Sequence, residues 1–210
     1  MLDSQQAIRT LETSHPPTWY FPRADIAPGV LRAAVDRAGA PPAAPPGVRR
    51  GRGVACGIYK EKSYAAVVAD VQVDPATGAV RVLHMWCAHD CGHVINADQV
   101  RAQCEGNLVW GLGMALIEQL PVGTSEVAAM NFAESPIPRF GEVPPLQVLL
   151  VDSTAPPTGA GETAIVASAA AIANAIREAV GVRPTRLPVR AEDLRTMVNV
   201  RTSTAVTSRP

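Results

Sequence analysis

The sequence is poor in aromatic residues and has no excess of charge of either sign. Of its 210 residues only 4% are Phe, Trp or Tyr, and 19 Lys and Arg balance 19 Asp and Glu. A neutral chain lacks the basic surface that nucleic-acid binding requires, so we expect no nucleic-acid partner. The 47% of hydrophobic residues suffice for a core, which must be rich in Ala and Val rather than in large rings.

Cysteines and long apolar runs are also scarce. Four cysteines, none of them in a CxxC pair, are too few for a disulfide scaffold. No apolar run reaches the roughly 18 residues of a membrane-spanning helix, and the first residues contain no apolar segment typical of a secretory signal. We therefore expect no membrane span and a cytoplasmic location by default, with the periplasm reached only through a partner.

Proline, in contrast, is abundant, and much of it lies in residues 1–50. Proline fixes φ and has no N–H, so this segment cannot form a continuous strand or a long helix, and only residues 30–38 can form a short amphipathic helix. We predict a Pro-rich N-terminal arm over residues 1–50, which docks on partners. The main domain is expected over residues 51–195 and a flexible tail over residues 196–210.

Alternating apolar residues indicate strands in the main domain. Residues 64–73 alternate with period two, which predicts a strand with one buried face, and residues 80–86 follow a turn and predict its hairpin partner. Residues 127–132 and 146–151 are two further strand candidates. The arginines at positions 49, 50 and 52 are interpreted as a solvated strand start rather than as a phosphate site, because the net charge is zero.

Two longer segments have helical periodicity. Residues 98–120 repeat apolar side chains every four positions, with Asn96 or Asp98 as the N-cap. Residues 163–180 place apolar side chains on one helical face before Gly181, which suits a helix C-terminus. Three glycines in the first of these helices indicate close approach to another backbone or to a ligand. Mixed strands and two principal helices, without a regular βαβ alternation, predict an α+β fold.

One cluster of metal-ligand residue types does not predict a metal site. Cys87, His89, Cys91 and His93 alternate along the chain. Side chains on one face of a strand are about 6.6 Å apart, whereas ligands of one zinc ion lie within about 4 Å of one another. We therefore expect these residues to bind no metal ion.

The segment PPTGAGE, residues 156–162, comes directly before the second predicted helix. Gly159 and Gly161 let backbone N–H groups approach a ligand, although Ala164 stands where a dinucleotide fingerprint needs another glycine. Glu162 would lie in the first turn of the helix, where the dipole favours a carboxylate. Such a carboxylate is either a general base or a residue that only stabilises its own helix.

Three segments, taken in order, resemble the molybdenum-binding subunit of the xanthine dehydrogenase/aldehyde oxidase family, and in particular bacterial isoquinoline 1-oxidoreductase β-subunits. The segment CAHDCGHVINADQV is similar to the family's Asp-Cys-Gly-x-x-x-Asn-Pro pattern, although Ala97 stands where proline is usual. The segment VRAQCEGNLVWGLGMAL is similar to its Gln-x-Glu-Gly helix, and PPTGAGETAIVASAAAIANAI contains its Gly-x-Gly-Glu turn. The resemblance covers about residues 51–194.

The resemblance implies a fold, a cofactor and roles for four residues. Residues 51–195 would form the C-terminal part of a molybdopterin-binding domain, with a molybdenum-pyranopterin cofactor in its cytosine dinucleotide form. Glu162 matches the family's general base, which activates the water-derived oxygen. Gln103 matches a glutamine that binds the pyranopterin, and Gly159 and Gly161 would lie against the cofactor.

The departures from the family pattern imply partners. The chain is several times shorter than the family's subunit, and it lacks both a Gly-Gln-Gly segment and the clustered cysteines of iron–sulfur sites. We therefore expect the remaining part of the molybdenum subunit and an iron–sulfur subunit as partners, and no turnover by the isolated chain. The implied substrate is a small N-heteroaromatic or aldehyde molecule, whose electrons pass to the iron–sulfur partner.

Two alternatives remain open from the sequence. The chain could be a truncated, non-catalytic scaffold that folds or binds a partner. It could also be a free-standing nucleotide-binding module that uses the turn from Gly159 to Glu162.

Overall fold

The computed structural model describes residues 26–60 and 62–207, which form an α+β fold, as predicted. Their elements in chain order are α1 (Ile26–Ala38), β1 (Arg49–Tyr59), β2 (Ser63–Val73), β3 (Val80–Asp90), α2 (Ala97–Leu116), a short 3-10 helix (Phe140–Glu142), β4 (Leu146–Leu150), α3 (Ile165–Val180) and α4 (Ala191–Thr207).

The strands form one mixed sheet in the order β1-β2-β3-β4. β1 and β3 both run antiparallel to β2, and β4 runs parallel to β3. The predicted β2–β3 hairpin is confirmed, with Val73 opposite Val80, and Gly78 takes the positive φ of 78° that its turn requires. The strand predicted over residues 127–132 is wrong, because these largely exposed residues provide a single isolated bridge, between Val127 and Val122.

One face of the sheet packs against α2, α3 and α4. The β2 side chains that face these helices are those of Ala65, Val67, Ala69, Val71 and Val73. The prediction that β2 has only one buried face is wrong. Its other face, with Tyr64, Ala66 and Val68, is buried as well, because α1 covers it.

Helix α3 lies very close to β1, which the sequence analysis had described only as a strand start. A Cβ atom at Gly53 would lie 1.9 Å from the carbonyl oxygen of Ala171, and one at Gly51 would lie 2.2 Å from that of Ala175. The Asn174 side chain also donates to the carbonyl oxygen of Val54 at 2.9 Å. The glycines of β1 therefore allow the helix backbone to rest on the strand.

Helix α1 belongs to the segment that was predicted to dock on partners. Residues 30–38 are helical, as predicted, and the side chains of Val30, Leu31 and Ala34 are buried against β2 and β3 of the same chain. Residues 1–25 of the predicted arm lie outside the described residues. The part of the arm that is described thus contributes to this chain's own core.

The two principal helices are confirmed, with different ends. Helix α2 ends at Leu116 rather than at residue 120, and its N-cap is Asn96, whose side chain accepts a hydrogen bond from the Gln99 N–H. Helix α3 begins at Ile165 and ends at Val180, and Gly181 is its C-cap with a φ of 74°. No helix within residues 26–60 and 62–207 is long and apolar enough to cross a membrane.

The predicted tail over residues 196–210 differs from the structure. Helix α4 continues to Thr207, and residues 208–210 lie outside the described part of the chain. The helix starts with Glu192 and Asp193, which interact favourably with its dipole, and it buries Leu194 in the core. Burial of Leu194 stabilises helix α4, which the Ser/Thr-rich sequence alone does not predict.

Candidate functional site

The glycine-containing turn at residues 158–162 is fixed to the ends of two central strands. The Thr158 N–H donates to the carbonyl oxygen of Cys91 at 2.8 Å, just beyond β3. The Ser63 hydroxyl, at the start of β2, lies 2.9 Å from the Thr158 hydroxyl and donates to the carbonyl oxygen of Gly159 at 2.7 Å. The turn is therefore held by the sheet on one side.

Helix α2 holds the same turn from the other side. The Gln103 side chain donates to the carbonyl oxygen of Gly161 at 3.3 Å, and the Asn107 side chain donates to the same oxygen at 3.0 Å. The Asn107 side-chain carbonyl oxygen also accepts the backbone N–H of Ile165 at 3.1 Å. Asn107 thus satisfies one of the free N–H groups at the start of α3, where no side chain of α3 itself provides a cap.

Glu162 is the last residue of this turn; its side chain is exposed, and it does not lie in the first turn of α3. The helix begins three residues later, at Ile165, so the predicted position of Glu162 at the helix dipole is wrong. The hydrogen bonds that Gln103 and Asn107 donate to the Gly161 carbonyl oxygen hold the turn outside the helix, which begins only after it. Glu162 receives a hydrogen bond of 2.5 Å from the Tyr59 hydroxyl, at the end of β1.

The interaction between Tyr59 and Glu162 affects the ionisation of the phenol. The hydrogen bond to Glu162 and, to a smaller extent, desolvation and the charge of Glu162 raise the pKa of Tyr59 above its ordinary value. The phenol is therefore protonated at neutral pH and able to donate. This arrangement orients the Glu162 carboxylate, which would otherwise rotate freely at an exposed position.

The turn has the properties required of a wall for a bulky, oxygen-rich cofactor. Within the described residues, no group accepts a hydrogen bond from the backbone N–H groups of residues 159–162. A Cβ atom at Gly106 or Gly159 would meet no atom within 4 Å, and one at Gly161 would approach only the Gln103 side chain, at 3.9 Å. Free donors beside open space fit a pterin-type group, so the predicted cofactor residues are compatible with the predicted cofactor.

The cysteine and histidine cluster is dispersed by the fold. Cys87, His89 and Cys91 are buried, whereas His93 is exposed. A hydrogen bond with Cys104 and burial raise the pKa of Cys87, and burial raises the pKa of Cys91, so both thiols stay protonated. In the part of the chain that the structure describes, no three His, Cys, Asp or Glu side chains are placed to hold a metal ion.

Sequence reasoning missed two residues of this site, Asn107 and Tyr59. Asn107 did carry a signal, because it lies one helical turn after Gln103 and is a polar residue beside the buried stripe of α2. Tyr59 carried none, because its contact with Glu162 joins residues 103 positions apart. All four predicted site residues, Gln103, Gly159, Gly161 and Glu162, lie within one cluster.

Two family models match the chain. The molybdopterin cofactor-binding domain matches residues 52–144. A domain of unknown function (DUF427) matches residues 1–41. The first match ends before the turn at residues 158–162.

Two relatives match a larger share of this chain. One chain of the nicotinate dehydrogenase of Pseudomonas putida is 41% identical over 156 residues, which are 70% of this chain and 13% of that protein. The isoquinoline 1-oxidoreductase β-subunit of Brevundimonas diminuta is 32% identical over 143 residues, which are 67% of this chain and 18% of that protein. The chain thus spans less than a fifth of the length of these two relatives.

Two solved structures are similar in fold to this chain. The aldehyde oxidoreductase of Desulfovibrio gigas is 30% identical, with a TM-score of 0.60 over 65% of this chain and 15% of that chain. Quinoline 2-oxidoreductase of Pseudomonas putida has a TM-score of 0.61 over 70% of this chain and 19% of that chain, at 23% identity, which supports the fold alone.

Proposed function

This chain belongs to the molybdenum-binding subunits of the xanthine dehydrogenase/aldehyde oxidase family, and we propose that it supplies one wall of the active site of a molybdenum hydroxylase. The observation that supports this proposal most directly is the position of Glu162. Its carboxylate is exposed and oriented by Tyr59, and it lies beside a turn with free N–H groups and open glycine backbone.

Glu162 acts in this proposal as the general base. A base must be accessible to the proton that it removes and must be held within hydrogen-bond distance of it. The Glu162 side chain is exposed and therefore accessible. The hydrogen bond from Tyr59 limits rotation of the carboxylate and so keeps it in position. Glu162 would take a proton from the water-derived oxygen that is transferred to the substrate carbon.

The turn and helix α2 bind the cofactor in this proposal. Gln103 contributes its side-chain amide, and Gly159 and Gly161 contribute N–H groups and room for close approach. Gly106, one turn along α2 from Gln103, offers a further bare backbone surface. The bound molybdenum-pyranopterin, proposed here in its cytosine dinucleotide form, would supply the two-electron oxidation.

The proposed substrates are N-heteroaromatic molecules or aldehydes. The relatives are named nicotinate dehydrogenase, isoquinoline 1-oxidoreductase and aldehyde oxidoreductase, which are names for oxidations of these two classes. Electrons would leave through iron–sulfur clusters on a partner subunit, because four separate cysteines, three of them buried, are unsuited to hold such clusters here.

The surface of the described chain supports a companion polypeptide. Most of its exposed large apolar side chains lie between Ile95 and Phe140, including Trp110 and Met114 on the outer side of α2. Exposed apolar groups concentrated in one segment indicate a protein interface. We propose that this segment packs against the remaining part of the molybdenum subunit, because α2 also presents Gln103 to the site.

Purification from the native host tests the proposal. A mildly tagged chain should carry stoichiometric molybdenum and a companion chain, detected by elemental analysis and mass spectrometry. A lone chain without metal would contradict the enzyme proposal and favour a non-catalytic scaffold. Nucleotide affinity of the isolated chain, measured by titration calorimetry, would instead favour a nucleotide-binding module.

A substitution tests the role of Glu162 in the assembled enzyme. Glu162→Gln keeps the size of the side chain and removes the base, so turnover should fall by about 10²- to 10⁴-fold. Glu192→Gln, on the exposed first turn of α4, is the matched control and should leave turnover unchanged. A near-normal rate for Glu162→Gln, with unchanged molybdenum content, would refute the assignment.

A further inference from the structure

An open cavity of about 730 Å³ lies at the first residues of β1. Its walls are the end of α1 with the Pro-rich segment after it, the start of β1, and the C-terminal half of α3. Tyr59, beside Glu162, lies at the other end of β1. Val54 is the lining residue of β1 that is nearest to Tyr59, and because a strand rises about 3.3 Å per residue, the five residue steps between their Cα atoms separate the two sites by roughly 17 Å.

The walls of this cavity carry an excess of positive charge. Three arginines without an ion-pair partner among the described residues line it: Arg50, Arg177 and Arg183. Arg52 also lines the cavity, but Asp70 binds its guanidinium through two hydrogen bonds of 2.7 Å. Glu178 is the other carboxylate in the walls, so the charge of the lining side chains is clearly positive. This charge excludes cations and favours anions.

Arg50 is held in place before any ligand binds. Its Nη1 atom donates to the carbonyl oxygen of Ala43 at 2.6 Å, and its Nη2 atom donates to the Gln72 side chain at 3.5 Å. Its Nε atom is buried and has no acceptor among the described residues. These hydrogen bonds fix the Arg50 side chain at the cavity wall, where it has no ion-pair partner among the described residues.

Part of the cavity wall is apolar. Val35, Pro41 and Pro42 present hydrocarbon surface to the same space that the arginines line. Proline rings and a valine side chain offer contacts for a ring or a short alkyl group rather than for a second charge. We propose that this cavity binds a small organic anion, whose phosphate or carboxylate group contacts the arginines and whose apolar part contacts the prolines.

Titration of the full chain with phenyl phosphate tests this site, followed by NMR or calorimetry. Binding should be saturable, and Arg177→Ala and Arg183→Ala should each weaken it by about tenfold, because each removes a charged donor. Arg101→Ala, on the exposed surface of α2, is the matched control and should leave the affinity unchanged. Benzoate, used in place of phenyl phosphate, distinguishes a carboxylate from a phosphate group.

Three results would overturn the inference. The first is an absence of saturable binding of both anions at millimolar concentration, and the second is equal loss of affinity in Arg101→Ala and Arg183→Ala. The third is equal affinity for inorganic phosphate and phenyl phosphate, which would contradict the apolar wall. If Arg177→Ala fails to fold, as judged by circular dichroism, the Arg183 variant still provides the test. Because no assay of turnover is involved, failure here is separate from failure of the hydroxylase proposal.

Discussion

The side chain of Asn107 determines much of the geometry of the candidate site. It is buried in α2, donates to the carbonyl oxygens of Gln103 and Gly161, and accepts the N–H of Ile165. The turn that presents Glu162 and the start of α3 therefore depend on one amide. Gln103, which is exposed, adds a longer hydrogen bond to the same turn.

We expect Asn107→Ala to lower the free energy of unfolding by about 1–3 kcal/mol, because it removes the hydrogen bonds of a buried amide to the partly buried backbone groups of Gly161 and Ile165. Asn107→Asp should cost at least as much, since an acceptor-only carboxylate oxygen would replace the amide donor 3.0 Å from the Gly161 carbonyl oxygen at a buried position. Gln103→Ala, at an exposed position, should have a smaller effect than Asn107→Ala. Urea unfolding followed by circular dichroism measures all three, and equal stability of Asn107→Ala and Gln103→Ala would contradict this account.

The phenol of Tyr59 reports on the orientation of Glu162. Its pKa lies above the ordinary value of about 10 because it donates to Glu162. Glu162→Gln removes the negative charge, so the Tyr59 pKa should fall towards its ordinary value. Ultraviolet titration of the isolated chain measures this shift, Tyr59→Phe assigns the transition, and Glu192→Gln is the control. An unchanged titration curve would show that the two side chains do not interact in solution.

The four predicted site residues were found in the sequence through a family resemblance. The side chains that hold them in place are visible only in the structure. Gln103, Gly159, Gly161 and Glu162 stand in recognisable motifs. Asn107 and Tyr59 act through contacts with distant parts of the chain, which no local pattern encodes. The error in the start of α3 has the same origin, because the side chains that hold residues 159–162 out of the helix belong to other elements.

Glycines at element contacts have two different purposes in this fold. A Cβ atom at Gly111 of α2 would lie 2.2 Å from the Ser168 Cβ atom in α3, so this glycine allows two helices to pack closely. A Cβ atom at Gly106, in the same helix, would meet nothing within 4 Å. Close helix packing therefore explains Gly111. It does not explain Gly106, for which we propose a contact with the cofactor.

The two glycines make a matched pair of substitutions in the isolated chain. Gly111→Ala should destabilise it by about 1–3 kcal/mol, because the helices must separate. Gly106→Ala should stabilise it by up to about 1 kcal/mol through helix propensity. Thermal unfolding distinguishes the two outcomes. Destabilisation by Gly106→Ala would indicate a packing role that the structure does not contain.

Elements whose apolar residues recur at a regular spacing were predicted well. Elements that depend on contacts with distant parts of the chain were not. The alternation in β2 and the four-residue spacing in α2 and α3 identified these three elements. The full length of strand β1 was not predicted, because its glycines lower strand propensity. These glycines allow the backbone of α3 to pack closely on the strand, which is a contact that the sequence does not reveal. The second buried face of β2 was missed because Ala and Val alone do not indicate which face lies in a core.

For the molecule as a whole, the sheet is covered on both faces by segments distant in sequence. Helices α2, α3 and α4 form one layer, and α1 forms the other. The second layer is thin, since it depends mainly on Val30, Leu31 and Ala34. Its loss would expose the rings of Tyr64 and Trp86.

We expect Leu31→Ala to lower the free energy of unfolding by about 2–5 kcal/mol, because Leu31 is buried between α1 and the sheet. Asp36→Ala, on the exposed side of the same helix, should change it by less than about 0.5 kcal/mol. Chemical denaturation of both variants measures the difference. Equal stability would mean that α1 does not pack on the sheet in solution.

The position of α1 also limits how the sequence can vary. This helix lies within the segment that matches the domain of unknown function, yet it packs on strands that match the molybdopterin cofactor-binding domain. Residues that match two different family models therefore share a single core. A change in Trp86 or Tyr64 would need a compensating change in α1, so the helix and the sheet cannot vary independently although separate models match them.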